Sequence, residues 1–194
     1  MSKAANTRLT ILKKAFDLVY KQGFQATSID DIIATTQVTK GAFFYHFKNK
    51  DEMGLAMINE LMYPGMLKVM VEPLLAAKNP AEEVYLMMQN ILLKQPMFDV
   101  KYGCPAVNLI EEMAPLNIQF NQILCKLFNE WQKAISQVFK QGKMAGTIKS
   151  NIDEKQVAYF IMAGYSGIRN MGKMLGPACY KAYLSELKIY LNQL

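Results

Sequence analysis

The chain is predicted to be all-α. A small N-terminal three-helix domain (1–48) precedes a larger helical domain (49–194), with about nine helices in all. Three observations predict this. Apolar residues recur at helical spacing throughout, and no stretch alternates convincingly with period two. Start and stop residues fall at helical intervals. The chain has no internal repeat and no Ser/Gly-rich linker.

The elements follow in order. Leu12, Ala15, Phe16 and Val19 form the apolar stripe of a first helix, which Gly23 ends. Ile29, Ile32 and Ile33 form the stripe of a short second helix at about Ser28–Thr36. Thr27-x-x-Asp30 and Ser28-x-x-Asp31 are overlapping capping boxes for it, and the sequence does not choose between them. Thr39 caps a third helix over Lys40–Phe47. Asn49 caps a fourth that runs toward Met62, where Pro64-Gly65 should break or kink it, and that connects the two domains. Asn79-Pro80 opens another helix. Gly103, Pro105 and Pro115 punctuate the middle. A long helix at about 117–141 should end at Gly142, with a loop over 143–151. Helices at about 153–175 and 178–192 close the chain, separated by Gly176-Pro177.

Composition narrows the function. Hydrophobic residues make up 52% and charged residues 20%, which excludes disorder. Three Cys without CxxC spacing and a single His give no zinc signature and no disulfide framework. No metal or cofactor is expected. An enzyme is disfavoured, because no Gly-rich phosphate loop is present and Glu111 and Glu112, adjacent on a helix, point apart. No apolar run approaches a membrane span, and Met1–Arg8 leads into an amphipathic stretch rather than a signal-peptide core, so a cytoplasmic protein is expected. The net charge is +6 and unevenly placed. Residues 1–50 hold eight cations against three anions, and the remainder holds fourteen against thirteen. That asymmetry points the first quarter at a polyanion, with a basic solvated surface as the alternative that charge alone leaves open.

Two short helices and a tight turn within about 20 residues make the helix-turn-helix plan, whose second helix reads the major groove. Small Gly41 and Ala42 let the backbone approach DNA, and an Ala methyl can touch a thymine methyl. Tyr45 and His46 can bond phosphates, as can the hydroxyls of Thr27, Ser28 and Thr39. Lys50 stands at a helix N-terminus, which already favours an anion. Phe43 and Phe47 read as core, and Lys13, Lys14 and Lys21 as a solvated face.

Residues 8–54 resemble the DNA-binding segment of the TetR family of bacterial regulators. The resemblance rests on Ile11-Leu12-Lys13-Lys14-Ala15-Phe16, Gly23-Phe24-Gln25-Ala26-Thr27-Ser28-Ile29, Asp31-Ile32-Ile33 and the run from Val38 to Glu52. It implies recognition contacts at Lys40, Gly41, Ala42, Phe44, Tyr45 and His46, and phosphate contacts at Thr27, Tyr45 and Lys50. Two residues depart from the family pattern: Phe44 stands where Tyr is usual, and Gln37 where a turn Gly is usual. A left-handed backbone at Gln37 would cost on the order of 1 kcal/mol.

The resemblance further implies a ligand-responsive homodimeric repressor. A small-molecule effector would release it from a near-palindromic double-stranded DNA operator. The last two helices would form the dimer. Ala158, Ile161, Gly164, Tyr165 and Ile168 share one side of the penultimate helix, with intrachain packing of that face as the alternative. Candidate effector-lining residues are Met88, Tyr102, Cys104, Asn108, Trp131 and Tyr165. Phe98, Phe120 and Phe128 are further aromatic candidates, though core is the commoner role for such residues. The segment Tyr102–Met113 resembles a Gly-Cys…Asn…Glu stretch in a subgroup, some of whose members sense electrophiles or oxidants through Cys, which makes Cys104 a candidate sensor, with a buried small hydrophobe as the alternative. This leaves a helical binding or electrophile-sensing protein with a vestigial DNA head as the alternative function.

Overall fold

The computed structural model describes residues 3–77 and 79–194; Met1 and Ser2, the start of the stretch read against a signal peptide, lie outside the described residues. Every regular element among the described residues is helical. These are α1 (Lys3–Gln22), α2 (Ile29–Ala34), α3 (Lys40–His46), α4 (Lys50–Met57), a π-helical turn (Ile58–Met62), α5 (Tyr63–Met70), α6 (Glu72–Leu75), α7 (Pro80–Leu93), α8 (Pro105–Met113), α9 (Ile118–Met144), α10 (Glu154–Leu175) and α11 (Ala178–Asn192). With Lys50–Met70 taken as one helical run and the one-turn α6 set aside, nine helices remain. None of the described helices is long and apolar enough to cross a membrane.

Local chemistry sets most boundaries. The Asn49 side-chain Oδ1 accepts from Glu52 N at 2.8 Å, and Asp153 Oδ1 accepts from the amides of Lys155 and Gln156. Gly23, at φ 94°, ends α1. Two boundaries differ from the sequence expectation. Pro64 neither breaks nor ends its helix, because the hydrogen-bond register slips upstream. Tyr63 N–H donates to Ile58 O, five residues back, and the π turn accommodates the proline. Gly142 lies inside α9 rather than ending it. A Cβ there would come within 2.6 Å of Pro80 and 2.7 Å of Ile148, so the glycine is needed for close packing.

The described residues divide into two compact units. The first holds the chain up to Pro64 together with Pro105–Cys125. Its core gathers Ile11, Leu12, Ala15 and Val19 of α1 with Ile32, Phe43, Phe47 and Met53. Phe24 and Phe120 meet at 4.9 Å over Gly54, where a Cβ would sit 2.5 Å from one ring and 2.7 Å from the other. Phe120 is therefore core of this unit, the commoner role for such a residue.

The second unit holds Gly65–Cys104 and Lys126–Leu194. Here α7 and α10 pack on α11. The core includes Met88, Ile91, Trp131, Phe139, Ile161, Tyr165, Tyr180 and Leu184. This corrects the expected dimer face. Ile161 and Ile168 are buried within the chain, and Tyr183 fills the space a side chain at Gly164 would take. The face of α10 left exposed carries Phe160, Ala163, Gly167, Met171 and Met174.

Candidate nucleic-acid interface

The reading head is built from its caps upward. The structure selects Ser28 over Thr27 as the cap of α2: Ser28 Oγ accepts from Asp31 N at 3.0 Å, and Asp31 accepts from Ser28 N at 2.9 Å. The same Ser28 hydroxyl and amide hold the Asp31 carboxyl below its ordinary range. Thr39 Oγ1 accepts from Ala42 N at 3.2 Å and starts α3. Between the helices Gln37 keeps a negative φ, so its departure from glycine carries no backbone strain.

α3 is anchored by Phe43 and Phe47, which are buried with rings 5.6 Å apart. The opposite side is open. Thr39, Lys40 and Gly41 are exposed, Ala42 is half-buried, and no atom lies within 4 Å of where a Cβ on Gly41 would stand. Phe44 is 45% exposed and Tyr45 78% exposed, unusual for side chains of that size. His46 is half-buried with its ring edge-on to Tyr45. Lys40 pairs with Asp30 at 3.1 Å. Both groups are solvent-exposed, so the pair is weak and yields readily to a phosphate or base edge. Lys13, Lys14, Lys21 and Lys48 are exposed around the head.

Two expected phosphate groups are placed otherwise. Thr27 is fully buried, and its hydroxyl donates to Gly23 O at 2.7 Å, so it braces the loop instead of facing outward. Lys50 Nζ donates to the carbonyls of Phe24 (3.0 Å), Thr27 (3.1 Å) and Gln25 (3.4 Å). The sequence reading passed over the partner of this arrangement, Glu112. Its carboxylate accepts from the amides of Phe24 at 2.8 Å and Gln25 at 2.6 Å. The loop is thus held by a cation on its carbonyls and an anion on its amides. Its glycine, Gly23, sits 3.2 Å, measured from the position a Cβ would take, from the Glu112 oxygens. The only sequence signal for Glu112 was a carboxylate next to the apolar face of α8.

Of the expected effector-lining residues, Met88, Cys104, Trp131 and Tyr165 are buried in the second unit, where Trp131 meets Tyr165 edge-on at 5.2 Å. Tyr102 is half-buried in the same unit, with Lys101 Nζ 5.3 Å from its ring. Asn108 is not among them. It belongs to the first unit, beside Phe16, Tyr20 and Met62 around a space of only about 10 Å³. Arg169 was also passed over: it is fully buried one helical turn from Tyr165, and a charge within an apolar helical stripe was the available signal. No group of His, Cys, Asp and Glu that could hold a metal occurs among the described residues.

Comparison with known proteins agrees with this geometry. Residues 11–57 match the family of bacterial regulatory proteins of the tetR family, and residues 86–184 match the tetracyclin repressor-like C-terminal domain. An uncharacterized HTH-type transcriptional regulator of Lactococcus lactis subsp. lactis is 33% identical over 68% of this chain and 67% of its own. The HTH-type transcriptional repressor DhaR of a Mycobacterium species is 23% identical over 82% and 79%. The crystal structure of a TetR transcriptional regulator from Chloroflexus aurantiacus superposes with a TM-score of 0.89 at 22% identity, covering 100% of this chain and 98% of that one. With an open, capped recognition helix on a basic head and both halves matched, the chain belongs to the TetR family of transcriptional regulators.

Proposed function

We propose that the chain is a cytoplasmic, homodimeric repressor whose head, residues 1–48, binds a near-palindromic operator and whose remainder, residues 49–194, takes a small-molecule effector that releases it. The observation that carries this reading is the open face of α3. In this reading Lys40, Gly41, Ala42 and Phe44 meet base edges and thymine methyls, and Ser28, Thr39, Tyr45 and His46 meet phosphate; their exposure or partial exposure supports it. Lys50 and Thr27 act through the loop they brace. The mycobacterial relative named as a repressor supports the sign of regulation.

In this reading a second copy packs on the exposed α10 stripe of Phe160, Ala163, Gly167, Met171 and Met174. Apolar residues at this heptad-like spacing, with a small residue at the centre, favour close pairing of helices. Two heads then meet successive major grooves. Selection of random duplex DNA by the purified protein, at two salt concentrations, tests the reading. The expected result is an enriched palindrome whose affinity falls steeply with salt. Salt-dependent binding without enrichment contradicts sequence-specific regulation.

A further inference from the structure

We propose that the second unit recognises its effector as a small organic carboxylate, anchored by Arg169 with Tyr165 and Trp131 as additional donors. The proposal rests on the reading that this unit takes an effector, and it names that effector's chemical class.

Arg169 is fully buried and permanently charged. No described carboxylate pairs with it. Its partners are neutral. Nη1 donates to Phe98 O at 3.3 Å and to Tyr180 Oη at 3.4 Å, and Nη2 donates to Ile91 O. The rings of Phe98, Tyr180 and Tyr165 lie 4.9, 5.4 and 5.5 Å from its guanidinium carbon. The Ile91 carbonyl belongs to the last turn of α7, so the guanidinium also caps that helix end. That capping role accounts for the Nη groups and leaves Nε–H without a partner.

Two neighbours are in the same condition. Tyr165 Oη and Trp131 Nε1 are buried and unpartnered. Burial keeps the Tyr165 hydroxyl well above its ordinary range, so it stays a neutral donor, and the Cys104 thiol beside it is a weak acceptor at best. Tyr165 and Arg169 are four residues apart on α10, and the Trp131 ring packs on Tyr165. Among the described residues the unpartnered set is therefore rich in donors, two N–H groups and a hydroxyl that can also accept, beside one positive charge and no anion. Buried polar groups in folded proteins are nearly always satisfied, and an unpaired set points to a missing partner. A partner that accepts hydrogen bonds, carries one negative charge and tolerates aromatic walls is an organic carboxylate. One of its oxygens can accept from the open Nε–H of Arg169 and the other from the Tyr165 hydroxyl or the Trp131 indole N–H.

Trp131 is the chain's single tryptophan and sits in the cluster, so its fluorescence reports the site directly. The experiment titrates the full chain with straight-chain monocarboxylates from propionate to octanoate and with the matching primary amides. At least one acid should give a saturable Trp131 response, with its amide binding at least about 10-fold more weakly. Arg169→Gln should weaken the acid about 10–100-fold. Because that variant disturbs the α7 cap, Tyr165→Phe provides the independent arm. It removes a hydroxyl that has no partner, so the melting temperature of the unliganded protein should hold or rise while the acid binds about 3–10-fold more weakly. Amides that bind as well as acids overturn the proposal, as does a Tyr165→Phe protein that binds undiminished. Silence across the whole acid series also overturns it. A protein that is silent to the acids yet selects an operator loses this proposal and keeps its proposed function.

Discussion

The loop between α1 and α2 and the Arg169 cluster are both polar arrangements inside the fold, and they are finished differently. In the loop, Glu112 takes two amides, Lys50 takes three carbonyls, and the Thr27 hydroxyl is donated to Gly23. Around Arg169, the indole of Trp131, the hydroxyl of Tyr165 and the guanidinium Nε have no partner. The first arrangement fixes a geometry, as a head that must present α3 in one orientation requires. The second leaves bonding capacity open, which is the basis on which a ligand is proposed there. Fully satisfied networks make a part rigid, whereas unpaired polar groups in a low-dielectric interior are costly.

Substitutions can break or sharpen this contrast. The largest effect is expected at Gly54. Alanine there presses on Phe24 and Phe120, and overpacking of a closed aromatic contact should cost about 3 kcal/mol in thermal or urea melts. Gly41→Ala is the counterpart, because its site is open. It should raise stability by roughly 0.5–1 kcal/mol through helix propensity while weakening duplex binding. Next is Glu112→Gln, which loses charge-assisted bonds to two amides. It should destabilise by about 2 kcal/mol and lower operator affinity without changing the salt slope, since no phosphate contact is removed. A slope reduced by one unit in Lys50→Met would instead restore Lys50 as a direct phosphate contact.

Ser28→Ala removes the α2 cap and should cost about 1 kcal/mol. The smallest effect concerns pH. The folded state holds the Asp31 carboxyl below its ordinary 3.8, so its contribution is present above that value and is lost as pH falls through the lowered one. Acid melts of Asp31→Asn should accordingly show a shallower decline below pH 3.8 than those of the parent protein.

What the sequence made legible was what is local. Thr39, Asn49 and Asn79 cap helices from positions readable along the chain, and Ser28 is one of the two candidates the sequence offers, because a cap involves only the next three residues. Phe43 and Phe47 as core, with Phe44 and Tyr45 exposed, follow from helical spacing. The departures are tertiary. Two sides of α10 are apolar, one carrying Ile161, Tyr165 and Ile168 and the other Phe160, Gly167 and Met171, and periodicity cannot say which side turns inward. Gly142 resembles a helix stop until Pro80 and Ile148 are seen against it. Glu112 reaches the amides of Phe24 and Gln25 from nearly ninety residues away, a separation along which no local rule operates.

Release from the operator by an effector requires the two to be energetically coupled through one protein. The most direct measurement is the carboxylate titration of Trp131 fluorescence, with and without saturating selected operator duplex, paired with operator affinity in the absence and presence of the acid. Linkage requires both affinities to fall by one common factor, commonly about 5–150-fold in allosteric proteins. That equality is the predicted result. Carboxylate affinity that is identical with and without operator would contradict that coupling.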